Sequence, residues 1–218
     1  DFFNSFNIPF TLFATHRSEC LEEFQQNKNL EIGIHPNFLK GSSHGETYEE
    51  VIDHILKIYP KAISSRSHCF FDNSQISILL KEKGIIYDSN LCLWKQDELW
   101  PLEHFSGIVR YPVFFEDDVN WHKKGSWDYG QMRSCLFKPG LKILNIHPFM
   151  FTLNIPSTDR YNEVKKLIPS FNKSHHDEIS DLNFGPRKFY KDLIEDVLSK
   201  GHEFRTLSQI HEEYSCGR

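Results

Sequence analysis

Twelve of the 218 residues are histidines, and four of them fall just behind short apolar runs that read as strands. His16 follows Phe10–Thr15, His35 follows Leu30–Ile34, His68 lies shortly after Ala62–Ser65, and His147 follows Leu141–Ile146. A neutral imidazole is a zinc ligand, and the same ring carries a proton near neutral pH. A catalytic zinc typically takes three protein ligands and keeps one position for water. His44, in Gly41-Ser42-Ser43-His44-Gly45-Glu46, is close enough in sequence to curl back to an ion held by His35. It reads equally well as a loop residue or as part of the cap of the next helix. Any one strand-end histidine is as readily a hydrogen-bonded loop residue; four in the same kind of position point to a shared site.

Two further segments carry chemistry. Arg66-Ser67-His68 places a guanidinium directly behind a strand, where its planar fork suits a carboxylate or a substrate anion; the alternative is a surface arginine. Glu116-Asp117-Asp118 with Trp121 joins carboxylates to an aromatic face, a combination suited to a sugar. Carboxylates bind hydroxyls or orient an imidazole, and aromatic faces cover apolar sugar C–H groups. A solvated acidic loop beside a core tryptophan is the other reading. His175-His176 sits in a polar stretch and is given no role.

The elements that must hold these residues alternate. Strands are expected at Phe10–Thr15, Leu30–Ile34 and Ala62–Ser65, with a fourth beginning at Ile85-Ile86-Tyr87. Helices are expected over about 18–27, over Glu46–Ile58 with Val51, Ile55 and Ile58 on one face, and over Ser74–Lys83 behind an Asn73 cap. In the second half, Ile108–Phe115 is a strand pair or one strand interrupted at Pro112, Asp128–Phe137 a short helix and Leu141–Ile146 a core strand. The polar segment 157–185 reads as a mobile loop or lid, Pro186–Lys200 as a helix and Glu203–Arg205 as a closing strand. This alternation predicts an α/β domain with a mainly parallel sheet or barrel, whose strands present their carboxyl ends, and the histidines behind them, on one rim.

Composition narrows the function classes. With 39% hydrophobic, 25% charged and 14% aromatic residues the chain fills a core. A net charge of −5 gives no general attraction to nucleic acid, which is not expected as a partner. No run approaches the roughly 18 apolar residues of a membrane span, and the first residues lack a secretory pattern. Five scattered cysteines without a CxxC pair fit a reducing cytoplasm. The oligomeric state is not written in the sequence.

In motif order the chain resembles the polysaccharide deacetylase superfamily, the NodB-homology fold of carbohydrate esterase family four, and in particular its divergent surface-polysaccharide and O-antigen members. Phe10–Thr15 looks like the strand before the histidine motif, and Glu31-Ile32-Gly33-Ile34-His35 is similar to the stretch that places the first metal-binding histidine. Arg66 looks like the third-motif arginine, Asp118 with Trp121 like the fourth motif, and Leu144-Asn145-Ile146-His147 like the fifth. The resemblance implies a distorted (β/α) barrel in a single domain over 1–218. It implies a metal-dependent hydrolase, zinc being the expected ion, that removes an N-acyl group from a sugar or polysaccharide precursor; the alternative is a silent carbohydrate-binding relative. His147 would be the general acid, Arg66 and Asp118 its catalytic partners, and Trp121 and His16 substrate contacts. His35 would hold the metal with His44 or His68, because Leu39 stands where the second ligand usually lies. The family's first strand and its aspartate pair are not matched, Asp1 lying within a helical run, so the expected barrel lacks its first strand.

Overall fold

The aromatic and β-branched runs form strands, and the amphipathic stretches between them form helices. The computed structural model describes residues 2–19, 21, 27–166 and 184–217. Along the chain come α1 (Phe2–Ser5), β1 (Phe10–Ala14), β2 (Leu30–Ile34), α2 (Tyr48–Ile58), β3 (Ser64–Ser65), α3 (Ser74–Glu82), β4 (Tyr87–Asp88), β5 (Leu102–Glu103) and β6 (Val109–Arg110). Then follow β7 (Val113–Glu116), α4 (Asp117–His122), α5 (Tyr129–Leu136), β8 (Ile143–Asn145), α6 (Pro148–Thr152), α7 (Thr158–Lys165), α8 (Pro186–Ser199) and α9 (Leu207–Cys216). They group into two units. The first holds Asp1–Leu91, Trp100–Pro112 and Glu203–Arg218, the second Cys92–Leu99 and Val113–His202.

The first unit is built on a six-stranded sheet in the order β1-β2-β3-β4-β6-β5. All its pairings are parallel except that of β5 with β6. The parallel strands therefore end on one edge, and His16, His35, Arg66 and Asn90 follow them there. Gly33 is what lets β2 lie between its neighbours: a Cβ at that position would stand 2.5 Å from Ser64 Oγ and 2.8 Å from the Phe13 ring. Helix α2 buries Val51, Ile52 and Ile55, and its start is a reciprocal capping box between Thr47 and Glu50. Helix α3 begins at the expected cap, the Asn73 side chain accepting from the Ile76 amide. Ile34, Ile52, Ile55, Ile76, Leu80 and Ile85 make the centre of this unit's core.

Glu31, on β2, ties the sheet together from its partly buried position. Its Oε1 accepts from Ser64 Oγ at 2.7 Å and Tyr87 OH at 2.8 Å. Its Oε2 accepts from Thr11 Oγ1 at 2.8 Å and from the Ser208 amide, in the first turn of α9, at 2.8 Å.

In the second unit β7 and β8 pair in parallel, with an irregularity between Val113 and Phe115. The expected strand over Ile108–Phe115 is thus two strands in two sheets, separated at Tyr111-Pro112, where proline has no N–H to continue a ladder. Phe115 stacks on Trp94 at 4.9 Å and on Phe189 of α8 at 5.0 Å. From the same helix Tyr190 donates to the Asn145 carbonyl at 3.1 Å, fixing the end of β8.

Two expectations change, and a third is not tested. Within 157–185, expected as a loop or lid, residues 158–165 are helix α7, capped by Ser157 accepting from the Arg160 amide; 167–183 lie outside the described residues. Glu203–Arg205 is not a strand but leads into α9, which the capping box of Thr206 and Gln209 starts. The helix expected over 18–27 falls largely outside the described residues.

Candidate active site

Two parallel strands side by side bring their carboxyl ends together, and in the second unit those ends carry the acidic run and His147. Glu116 closes β7, and Asp117 and Asp118 open α4; Glu116 and Asp117 are only 3% and 0% exposed. His147 stands two residues beyond β8, where Pro148 starts α6 without needing an N–H partner. Asp117 grips this histidine twice: Oδ2 accepts the His147 backbone N–H at 2.8 Å, and Oδ1 meets Nδ1 at 2.5 Å. A carboxylate can only accept, so the Nδ1 proton lies on this bond and Nε2 is turned toward Glu116, 3.8 Å from its Oε1. Glu116 is itself aimed by Asn145, whose Nδ2 donates to Oε1 at 2.7 Å.

Burial works against a charged ring, yet the bond and charge of Asp117, with the charges of Asp118 and Glu116, push the His147 pKa up to about 9. The His147 side chain is 40% exposed. Tyr190, buried beside the three carboxylates, is held neutral, its pKa driven well above the usual phenol range by burial and then by their charges. Asp118 donates its backbone N–H to Asp117 at 3.0 Å, while its Oδ1 is buried with no hydrogen-bond partner among the described residues. Trp121 packs its ring on Tyr161 at 5.6 Å, against the small core of Leu153, Ile155 and Val164, and its buried Nε1 also lacks an acceptor there. One donor atom each from Glu116, Asp118 and His147 lie within 4.8 Å of one another.

In the first unit the strand-end histidines gather, though not as a closed set of ligands. The His35 and His68 rings meet edge to face at 5.7 Å. His44 Nδ1 accepts from the Asn37 amide at 3.2 Å, and the ring stacks on His54 at 5.3 Å. Burial first, and then the neighbouring His54, His16 and His68, hold its pKa below the ordinary imidazole value. His16 is exposed, with Nδ1 2.6 Å from Thr15 Oγ1.

The sequence model for WbmS-like polysaccharide deacetylases matches residues 1–165. The chain belongs to that family. Among solved structures it is similar to the WbmS polysaccharide deacetylase involved in O-antigen biosynthesis from Bordetella bronchiseptica, with 27% identity over 89% of this chain and 81% of that one and a TM-score of 0.81. A polysaccharide deacetylase from Mycobacterium smegmatis matches at 19% identity over 94% of this chain and 77% of that one, with a TM-score of 0.46. No curated protein matches.

Polysaccharide deacetylases are generally metal-dependent, so the donor sets of this family member can be weighed against an ion. His35, His44 and His68 are right in type, but among the described residues they do not draw three donor atoms within 4.8 Å, and His44 Nδ1 accepts from the Asn37 amide. The expected trio therefore does not fit as a set; His35 and His68 remain an adjacent pair. Arg66 is buried, with Nε donating to the Ser89 carbonyl at 2.9 Å, Nη2 to Ser89 Oγ at 2.7 Å, and its guanidinium 4.6 Å from the Phe13 ring centroid. Those contacts lock the end of β3 to the end of β4. Arg110, not singled out in the sequence, holds Asp88 through two nitrogens and Asp72 at 2.8 Å. Asp117 is the other residue missed. The run of three acidic residues was visible, but which one faces His147 depends on α4 starting at Asp117.

Proposed function

We propose that this member of the family hydrolyses an N-acyl group, acetyl in the simplest case, from a sugar of a surface polysaccharide or its precursor. The observation that carries the reading is the Asp117–His147 pair at the ends of β7 and β8. Breaking a sugar amide with water needs a proton on the departing nitrogen, or the amine is too poor a leaving group. His147 carries that proton at neutral pH and presents it on Nε2, while Asp117 fixes the ring's orientation through the backbone N–H and Nδ1. Water adds to the acyl carbon and gives its proton to solvent; as the C–N bond then breaks, the Nε2 proton passes to the sugar amine, and the acyl group leaves as a carboxylate carrying the water oxygen, its remaining proton lost to solvent, from which His147 is reprotonated.

Asp118 and Trp121, each with a buried polar atom unmatched among the described residues, are assigned to substrate hydroxyls, and exposed His16 to the substrate side. Arg66 acts as a positioning residue through Ser89. A divalent ion, zinc by donor type, supplies carbonyl polarisation and water activation in such chemistry, and His35 and His68 are the pair suited to hold it. The scattered cysteines, with no CxxC pair, support a cytoplasmic setting. The engagement of His44 favours a second reading, a carbohydrate-binding relative without turnover.

Acetate release from N-acetylated sugars and oligosaccharides by the full-length protein tests this. Release that falls by about 10²–10⁴-fold in His147→Gln, with sugar affinity retained, is expected. Sugar binding without acetate release by the wild type would overturn the hydrolytic reading in favour of the second.

A further inference from the structure

The Nε2 atom that would deliver the proton also stands among carboxylates. Glu116 is 3% exposed and aimed by Asn145, Asp118 has a buried oxygen without a hydrogen-bond partner among the described residues, and His147 is oriented by a carboxylate on its far nitrogen. A carboxylate behind an imidazole, two further oxygen donors in front of it and a side chain holding one of them make up an oriented divalent-cation site. Ligands bound at about 2.0–2.2 Å sit roughly 3–3.5 Å apart around an ion. The donor atoms here lie within 4.8 Å of one another, so an ion would have to draw them together by roughly 1 Å. The mixed oxygen and nitrogen set suits first-row ions such as Mn²⁺ and Zn²⁺.

We propose that Glu116, Asp118 and His147 Nε2 form a divalent-cation site within the second unit, and that an ion bound there inhibits. The inhibition rests on the reading above that His147 is the proton donor. An ion on Nε2 takes the lone pair that otherwise holds the proton, so one nitrogen cannot serve both. Excess divalent metal then stops proton delivery without unfolding the protein.

The test is a Mn²⁺ titration of the chelated full-length protein, read by electron paramagnetic resonance and by broadening of the His147 ring signals in NMR. Wild type is expected to bind one more Mn²⁺ than Glu116→Gln/Asp118→Asn, and to lose the His147 signals as that site fills. Equal stoichiometry in wild type and double variant, both folded by circular dichroism, would overturn the proposal, as would unbroadened His147 signals at saturating Mn²⁺. In acetate-release assays, turnover falling at high Mn²⁺ in the wild type supports the inhibitory role; turnover that stays level while the site is filled refutes it. Because Mn²⁺ binding is read without substrate, a protein that binds the ion here yet releases no acetate at any Mn²⁺ concentration, including those too low to fill this site, refutes the hydrolytic reading and leaves the site standing.

Discussion

Asp117→Asn removes one charge 2.5 Å from His147 Nδ1 and nearly preserves shape. The bond and charge of that carboxylate are the main forces raising the His147 pKa to about 9 from the ordinary 6.5, against a burial effect of opposite sign. Without it the pKa falls back toward 6.5, and solvent reaching the 40% exposed ring tempers the movement. With a wild-type pKa near 9 and a variant pKa near 6.5, about 90% of wild-type rings and about 3% of variant rings carry the proton at pH 8. The acid form drops about 30-fold. The assays are an NMR titration of the imidazole in chelated protein and the alkaline limb of the acetate-release profile, which should move from near pH 9 toward pH 6.5. Stability has the matching sign. A histidine whose folded pKa exceeds its unfolded value contributes fully below about 6.5 and loses the contribution as pH rises through about 9, so wild type and variant should converge in stability above that. A variant whose His147 titrates within about half a unit of the wild type would refute Asp117 as the cause.

Gly33→Ala forces a methyl against Ser64 Oγ and the Phe13 ring, and a loss of about 1–3 kcal/mol in urea denaturation is expected; an unchanged midpoint would mean that β1 and β3 yield freely. Glu31→Ala strips the acceptor from four donors and should cost at least about 1–3 kcal/mol, with amide exchange at Ser208 quickening; unaltered exchange there would break the link drawn to α9. Asp88→Ala leaves Arg110 without its buried partner, for an expected loss of about 3–5 kcal/mol by thermal melting, and a loss below about 1 kcal/mol would show that Asp72 alone suffices.

Period and caps made much of the first unit legible in advance. Phe10–Ala14 and Leu30–Ile34 alternate and end as apolar runs should, and Asn73 caps its helix because its short side chain reaches the Ile76 amide. Helix α7 was hidden by its polarity: Thr158–Lys165 buries only Val164, so no apolar stripe announces it. The Thr206 capping box was equally visible as a sequence pattern, but Glu203-Phe204-Arg205 before it drew a strand assignment. At the site, strand-end positions located His35 and His147 but not what each touches. That His44 accepts from the Asn37 amide, and that Asp117 rather than Asp118 holds His147, follow from loop paths and a helix start, which residue type does not encode.

Glu31 also imposes an order in time. Its Oε2 takes the Ser208 amide, 177 residues later in the chain, while its other acceptances come from strands made early. On a ribosome adding about 5–20 residues per second, that carboxylate waits about 10–35 s for its last donor. Docking α9 is a long-range closure, slow to form compared with contacts between neighbours in sequence. Until it forms, the first unit is a sheet with one ligand of its central carboxylate still unmade, open to proteases and to other chains over that interval.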